Sequence, residues 1–174
     1  KKESGKCVEN AMAKIANLKY LIIGNSAGAV GAAETIRSVD RTGAITIVSD
    51  EPYPAYSRPL IAKYLADKRP LEKMLFRSSD FYEQNNIQTS LGSKVLKLNI
   101  AERSVEIQGG DKVAWDKLLL ATGGSPIVPK MEGVELKGVF KFLTLDDAKA
   151  IDGYLVGLSG KSPRAVVIGG GNIF

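Results

Sequence analysis

The run Gly24-Asn25-Ser26-Ala27-Gly28-Ala29 has the residue types of a dinucleotide-binding turn, and it sits between an apolar run and a stretch of helical spacing. Such a turn needs glycine first for the tight bend. It needs little side chain second, so that backbone N–H groups reach a pyrophosphate, and a small third residue so that helix and strand pack closely. Counted from Gly24, Ser26 stands in the second glycine's place, a departure, and Ala29 in the third's, a tolerated variant. Asp50 ends the next apolar run, where a carboxylate accepts hydrogen bonds from an adenosine ribose hydroxyl. The theme returns near the other end: Ala165 to Ile168 followed by Gly169-Gly170-Gly171 echoes residues 20–28. Close helix–strand packing and a plain turn at Asp50 are the alternatives that these residues leave open.

Other chemistries fit less well. Gly24 and Gly28 with Tyr64 and Lys68 imitate a short-chain dehydrogenase, but its last glycine would fall on Val30 and its Tyr/Lys pair comes too early. Gly160-Lys161-Ser162 imitates a phosphate loop, but Leu155 stands where its first glycine belongs and Pro163 where a helix should start. With one cysteine, Cys7, and no histidine, the chain offers no intrachain disulfide, no CxxC pair, no histidine acid/base group and no metal set. The net charge of +5 comes from scattered Lys and Arg, with short clusters only at Lys1-Lys2 and Lys68-Arg69, which reads as a solvated surface and not a nucleic-acid face. No run approaches the roughly 18 apolar residues of a membrane span, and residues 1–17 mix Lys, Glu and Asn through any signal segment. A cytoplasmic protein without a membrane partner is expected.

The elements that would position these residues follow from periodicity. Leu18 to Ile23 reads as a strand, Ala27 to Arg37 as a helix and Ala44 to Val48 as a second buried strand, together one βαβ unit. Three prolines between Pro52 and Pro59 predict an irregular loop. Short helices are expected over Leu60–Ala66 and Ser79–Asn85, the latter capped by Ser78 or Ser79. Alternation from Gln88 to Trp115 around a Gly109-Gly110-Asp111 turn predicts an antiparallel meander. Leu118 to Ala121 reads as a buried strand, Thr144 to Leu158 as a helix and 165–168 as another strand. The fold class is therefore α/β: a Rossmann-like domain with a mainly parallel sheet and a small antiparallel meander.

The run from Ala44 to Leu60, with Asp50-Glu51-Pro52-Tyr53-Pro54-Ala55-Tyr56-Ser57-Arg58-Pro59 at its centre, resembles the FAD-binding part of the pyridine nucleotide-disulfide oxidoreductase superfamily. Its nearest look is to rubredoxin and ferredoxin reductases and to the NADH-binding region of nitrite reductases. The resemblance spans about 18–171 and includes Leu118 to Gly123, Gly138-Val139-Phe140, Thr144 to Ala148 and Val166 to Gly171.

It implies that Gly24, Ser26, Ala27 and Gly28 surround the FAD pyrophosphate, that Asp50 holds the adenosine ribose and that Val95 meets adenine through its backbone. Ala121, Thr122 and Gly123 would also contact FAD, and Arg58, Pro59 and Lys63 would lie along the flavin. Gly169 and Gly171 would begin an NAD(P)H fingerprint. Reduced flavin is anionic, so Lys63 would act by electrostatic tuning, the nearest thing to a catalytic role.

Residues 49–60 contain no cysteine, which argues for direct electron transfer from flavin to an acceptor instead of disulfide chemistry. Phe142 and Leu143 occupy the place of an arginine frequent in the family. The expected organisation is an extension (1–17), an FAD domain (18–125), a linker and helix (126–162) and the truncated start of an NAD(P)H domain (163–174). The implied function is electron transfer from NAD(P)H through FAD to an acceptor protein or domain: rubredoxin, ferredoxin or a linked metal centre. A homodimer is compatible with the full-length form, and the chain alone is expected not to turn over NAD(P)H. The reading from another class is a non-catalytic nucleotide-binding or interaction module.

Overall fold

The computed structural model describes residues 18–158 and 164–169; the expected extension 1–17 and Gly171 lie outside them. Among the described residues no helix is long and apolar enough to cross a membrane. They fall into two compact units, one of residues 18–56 and 75–123, the other of 57–74 and 124 onward.

In the first unit, strand β1 (Lys19–Ile23), helix α1 (Ala27–Val39) and strand β2 (Ala44–Ser49) form the expected βαβ unit. Strands β3 (Ile87–Leu91) and β7 (Lys117–Leu120) complete a four-stranded sheet in the order β3-β2-β1-β7. Every pairing in it is parallel, with Ile22 beside Ile47 and Leu119 and Ile23 beside Val48 and Leu120. Alternation along β1 and β2 divides the core between the sheet's two faces. Ile22, Ile45 and Ile47 pack with Ala29, Val30 and Ala33 of α1, all buried, with Phe81 and Ile87 at the margin. Leu21, Ile23 and Val48 pack with Val105 and Ile107. The alanines on α1's inner face let the helix lie close to the sheet, and each buried Ile contributes roughly 2 kcal/mol.

Val105 and Ile107 belong to the antiparallel meander β4 (Val95–Asn99), β5 (Ser104–Ile107) and β6 (Lys112–Ala114), in the order β4-β5-β6. The meander is thus shorter than expected: Ile87–Leu91 joins the parallel sheet instead, because its partner is β2. Helix α3 is one turn, Phe81–Gln84, with Asp80 and not Ser78 or Ser79 at the N-cap position. The expectation of a buried final strand needs a second correction. Leu118 is half-buried, but Leu119 and Leu120 are exposed, because β7 is the edge of the sheet and only one of its sides is paired.

The second unit holds a 3-10 turn (Arg58–Leu60), helix α2 (Ile61–Asp67), a second 3-10 turn (Leu71–Lys73) and helix α4 (Leu145–Val156). Helix α2 packs on α4, where Ile61, Leu145 and Ala148 are buried. The Lys68 ammonium pairs with the Asp152 carboxylate. Thr144 caps α4 with a full capping box: its hydroxyl accepts from the Asp147 N–H, and the Asp147 carboxylate accepts from the N–H groups of Thr144 and Leu143 at 2.8 Å each. Residues 165–168 form no strand; Val166, Val167 and Ile168 are exposed, and no described residue pairs with them. A parallel strand exists only by its ladder, so apolar composition alone does not make one.

Candidate functional site

The carboxyl ends of β1, β2 and β7 converge in the first unit. The ladder continues past them: Gly24 N–H donates to the Val48 carbonyl and Ala121 N–H to the Ile23 carbonyl, both at 2.8 Å. Gly24 has φ +109°, and a Cβ built there would lie 2.1 Å from the Ala121 carbonyl oxygen. No residue with a side chain fits, so the first glycine is required both by its backbone conformation and by the exit of β7. The crevice between neighbouring strands that leave in opposite directions is where open α/β sheets bind ligands.

Ser26 sits at the N-cap of α1 with φ −131° and ψ −162°, extended backbone that any residue adopts. The backbone there does not itself demand glycine, and the Ser26 hydroxyl makes no capping bond. The helix's first ladder bond runs from Val30 N–H to the Ser26 carbonyl at 3.0 Å, which leaves the N–H groups of Ala27, Gly28 and Ala29 ahead of the ladder. Ala27 and Gly28 are exposed, Gly28 has open space around it apart from the Ala121 Cβ at 4.0 Å, and the first turn carries no acidic residue. Free donors, a positive helix end and absent side chains suit an anionic group such as a pyrophosphate. Thr122 and Gly123 are exposed beside them, Gly123 with φ +68° and nothing within 4 Å of a built Cβ.

Asp50 is exposed just past the end of β2. The bend it occupies is tied to the end of β3 by Ser93 N–H to the Ser49 carbonyl (2.8 Å) and Gly92 N–H to the Glu51 carbonyl (3.1 Å). Val95 opens β4, half-buried against the cluster that includes Leu21, Ile23 and Val105, and the register shifts immediately after it. The first unit therefore gathers Gly24, Ser26, Ala27, Gly28, Ala121, Thr122 and Gly123 at one end of the sheet, with Asp50 at the neighbouring strand end.

Arg58, Pro59 and Lys63 belong to the second unit. Arg58 donates to the Leu143 carbonyl at 3.2 Å, one of the two residues standing where the family's arginine was expected. Pro59 lies in the opening 3-10 turn, and Lys63 on α2 is more than half exposed, 3.8 Å from Asp67. Gly169 has φ +91° and lies beside the exposed Ile168, outside any strand.

Sequence reasoning missed the polar network behind the glycine turn. Asn25 Nδ2 donates to the Tyr53 carbonyl at 3.1 Å, the Tyr82 hydroxyl donates to Asn25 Oδ1 at 2.9 Å, and Ala55 N–H donates to that hydroxyl at 2.9 Å. Nearby the Tyr56 hydroxyl donates to Glu51 at 2.5 Å. A turn-forming asparagine beside Gly24 is a local signal, but its partner comes from 57 residues away and leaves none.

The sequence profile of the family described as pyridine nucleotide-disulphide oxidoreductase matches residues 18–173. Subunit epsilon of the NADH-dependent phenylglyoxylate dehydrogenase of Aromatoleum evansii is 32% identical over 90% of this chain and 36% of its own length. The rubredoxin-NAD(+) reductase of Pseudomonas putida is also 32% identical, over 90% of this chain and 40% of its own. The crystal structure of NADH:rubredoxin oxidoreductase from Clostridium acetobutylicum superposes with a TM-score of 0.69 at 24% identity, covering 81% of this chain and 36% of that one. The chain thus spans well under half the length of these relatives.

Proposed function

Because the chain belongs to the pyridine nucleotide-disulphide oxidoreductase family, whose members are flavoproteins that use FAD and NAD(P)H, we propose that it is the FAD-binding part of an NAD(P)H-dependent electron-transfer enzyme without a redox disulfide. FAD bound there supplies a two-electron carrier between NAD(P)H and an acceptor protein or domain such as rubredoxin, ferredoxin or a linked metal centre. The observation that carries the reading is the Gly24–Ala121 approach, which closes the strand ends together beside the exposed Ala27 and Gly28, whose N–H groups lie ahead of the helix ladder. Gly24, Ser26, Ala27 and Gly28 would surround the pyrophosphate, Ala121, Thr122 and Gly123 would contact FAD, Asp50 would accept from the ribose hydroxyls and Val95 would offer backbone to the adenine. Arg58, Pro59 and Lys63 flank the flavin, the two cations favouring its anionic reduced form. The proposed organisation is an FAD domain over 18–125, a connecting segment over 126–162 and the start of an NAD(P)H domain from 163, with Gly169 and Gly171 in its fingerprint.

The test is an absorbance spectrum of the purified full-length protein before and after added FAD, followed by anaerobic NADH and NADPH. A flavin band that bleaches with a reduced nicotinamide supports the reading. A protein that takes up no FAD leaves the non-catalytic nucleotide-binding or interaction module.

A further inference from the structure

The glycine turn is held from behind by a closed hydrogen-bonded ring. The Ala55 N–H donates to the Tyr82 hydroxyl, the hydroxyl donates to Asn25 Oδ1, and Asn25 Nδ2 donates to the carbonyl of Tyr53. The polarity is self-consistent. A phenol that already accepts from a backbone N–H has one proton to give, so the amide oxygen of Asn25 must face it and the amide nitrogen must face the Tyr53 carbonyl. Asn25 lies between Gly24, whose N–H is fixed to Val48, and Ser26, whose carbonyl opens the α1 ladder. Its side chain therefore pins the middle of the three residues through which strand β1 hands over to the first turn of α1.

The anchor is itself packed and hydrogen-bonded. The Tyr82 ring packs edge-to-face on Phe81, centroids 5.3 Å apart, and both lie against the core cluster under α1. Ala55 is buried and its carbonyl accepts from Phe76 N–H at 2.9 Å. A loop that must present several N–H groups to one ligand loses affinity when it is free to rearrange, because the ordering cost is then met at binding.

We propose that Asn25 and Tyr82 are positioning residues for the pyrophosphate of the dinucleotide: neither touches it, and together they fix the turn whose backbone does. The inference rests on the FAD reading above and names residues that the glycine pattern does not include. Tyr82→Phe keeps the ring and removes only the hydroxyl, leaving Asn25 Oδ1 and the Ala55 N–H without this partner. Asn25→Ala removes both links.

The experiment is a fluorescence titration of the full-length apoprotein with FAD, with the 31P spectrum of the bound cofactor and the thermal midpoint of the apoprotein recorded for wild type, Y82F and N25A. The expected result is an FAD Kd weakened about tenfold in Y82F and further in N25A. The bound pyrophosphate resonances should move toward their free positions while the apoprotein midpoint of Y82F stays within a few degrees of wild type. An unchanged Kd with unchanged resonances overturns the proposal. A weakened Kd with wild-type resonances and an early-melting apoprotein also overturns it, since that is a structural role only. Wild-type protein that binds no FAD refutes the FAD reading, and this inference with it. Wild-type protein that binds FAD, with variants whose Kd and resonances match it, refutes only the inference.

Discussion

Replacing Gly24 with alanine and, separately, Gly28 with alanine divides the requirements of the fold from those of the cofactor. At Gly24 the added methyl would stand 2.1 Å from the Ala121 oxygen and 2.6 Å from its carbonyl carbon, on a backbone at φ +109°. Alanine in positive φ costs about 1–2 kcal/mol by itself. The clash is relieved only by moving backbone, yet the Gly24 and Ala121 N–H groups hold the Val48 and Ile23 carbonyls at 2.8 Å, and weakening those bonds adds about 1 kcal/mol each. The total, about 3–4 kcal/mol, is a large part of the roughly 5–15 kcal/mol that holds a domain together. At Gly28 the nearest atom to an added Cβ is the Ala121 methyl at 4.0 Å, an ordinary contact. Alanine is the better helix former by about 0.5–1 kcal/mol, so G28A apoprotein should be as stable as wild type or slightly more so, while its FAD affinity falls by about tenfold. Urea unfolding followed through the single tryptophan, Trp115, which packs beside Val105 and Ile107, reads the first effect, and FAD titration the second. With a slope of about 1–3 kcal/mol per molar urea, the G24A midpoint should drop by more than about 1 M. Equal midpoints for G24A and wild type refute the steric argument; an unchanged FAD Kd in G28A refutes the placement of the pyrophosphate.

Asp40 is nearly fully buried and accepts from Gly43 N–H (2.8 Å), Thr42 N–H (3.0 Å) and the Tyr20 hydroxyl (3.1 Å). The Gly43 hydrogen bond above all holds its carboxyl below the usual carboxylate range. A depressed folded pKa adds stability that is present above the unfolded value of about 3.9 and is lost as pH falls through the folded one. D40N should therefore cost about 1–2 kcal/mol at pH 7 and flatten the loss of urea midpoint between neutral pH and pH 3; a profile parallel to wild type contradicts this. T144A should lower stability by about 1 kcal/mol, seen in the same unfolding assay, and no loss would show that the capping box is not what holds the start of α4. K63A in the full-length protein should make the flavin potential more negative by on the order of 10 mV, small because the side chain is more than half exposed. An unmoved potential in a dye-equilibration measurement removes Lys63 from any tuning role.

What was legible in the sequence was what short-range chemistry dictates. The β1-α1-β2 unit follows from an apolar run, glycine, small residues and a second apolar run, all within a few turns of one another. Helix α4 follows from the periodicity of Thr144 to Leu158, while the capping box that Asp147 closes on Thr144 was not read from the sequence. Strand character was read from composition, and composition does not state which strand lies alongside. Gln88 to Leu91 therefore looked like the start of the meander and is the outer strand of the parallel sheet, Leu119 and Leu120 looked buried and lie on an edge strand, and 165–168 looked like a strand without a ladder.

The same division runs through the candidate site. Gly24 could be named from the sequence because the bend it makes is local, yet what makes it irreplaceable is the carbonyl of Ala121, nearly a hundred residues away. Ser26 looked like a defect in the pattern, and its extended backbone places no demand for glycine there. Asn25 was a filler position until Tyr82 arrived behind it. In each case the motif records which residue types the turn admits, and the partner brought by the rest of the fold decides which of them the turn requires. A glycine turn of this kind is best tested through pairs that join the local residue to its distant partner. Asn25 with Tyr82, joined side chain to side chain, is such a pair, and coupling between their substitutions separates a built site from a coincidence of small residues.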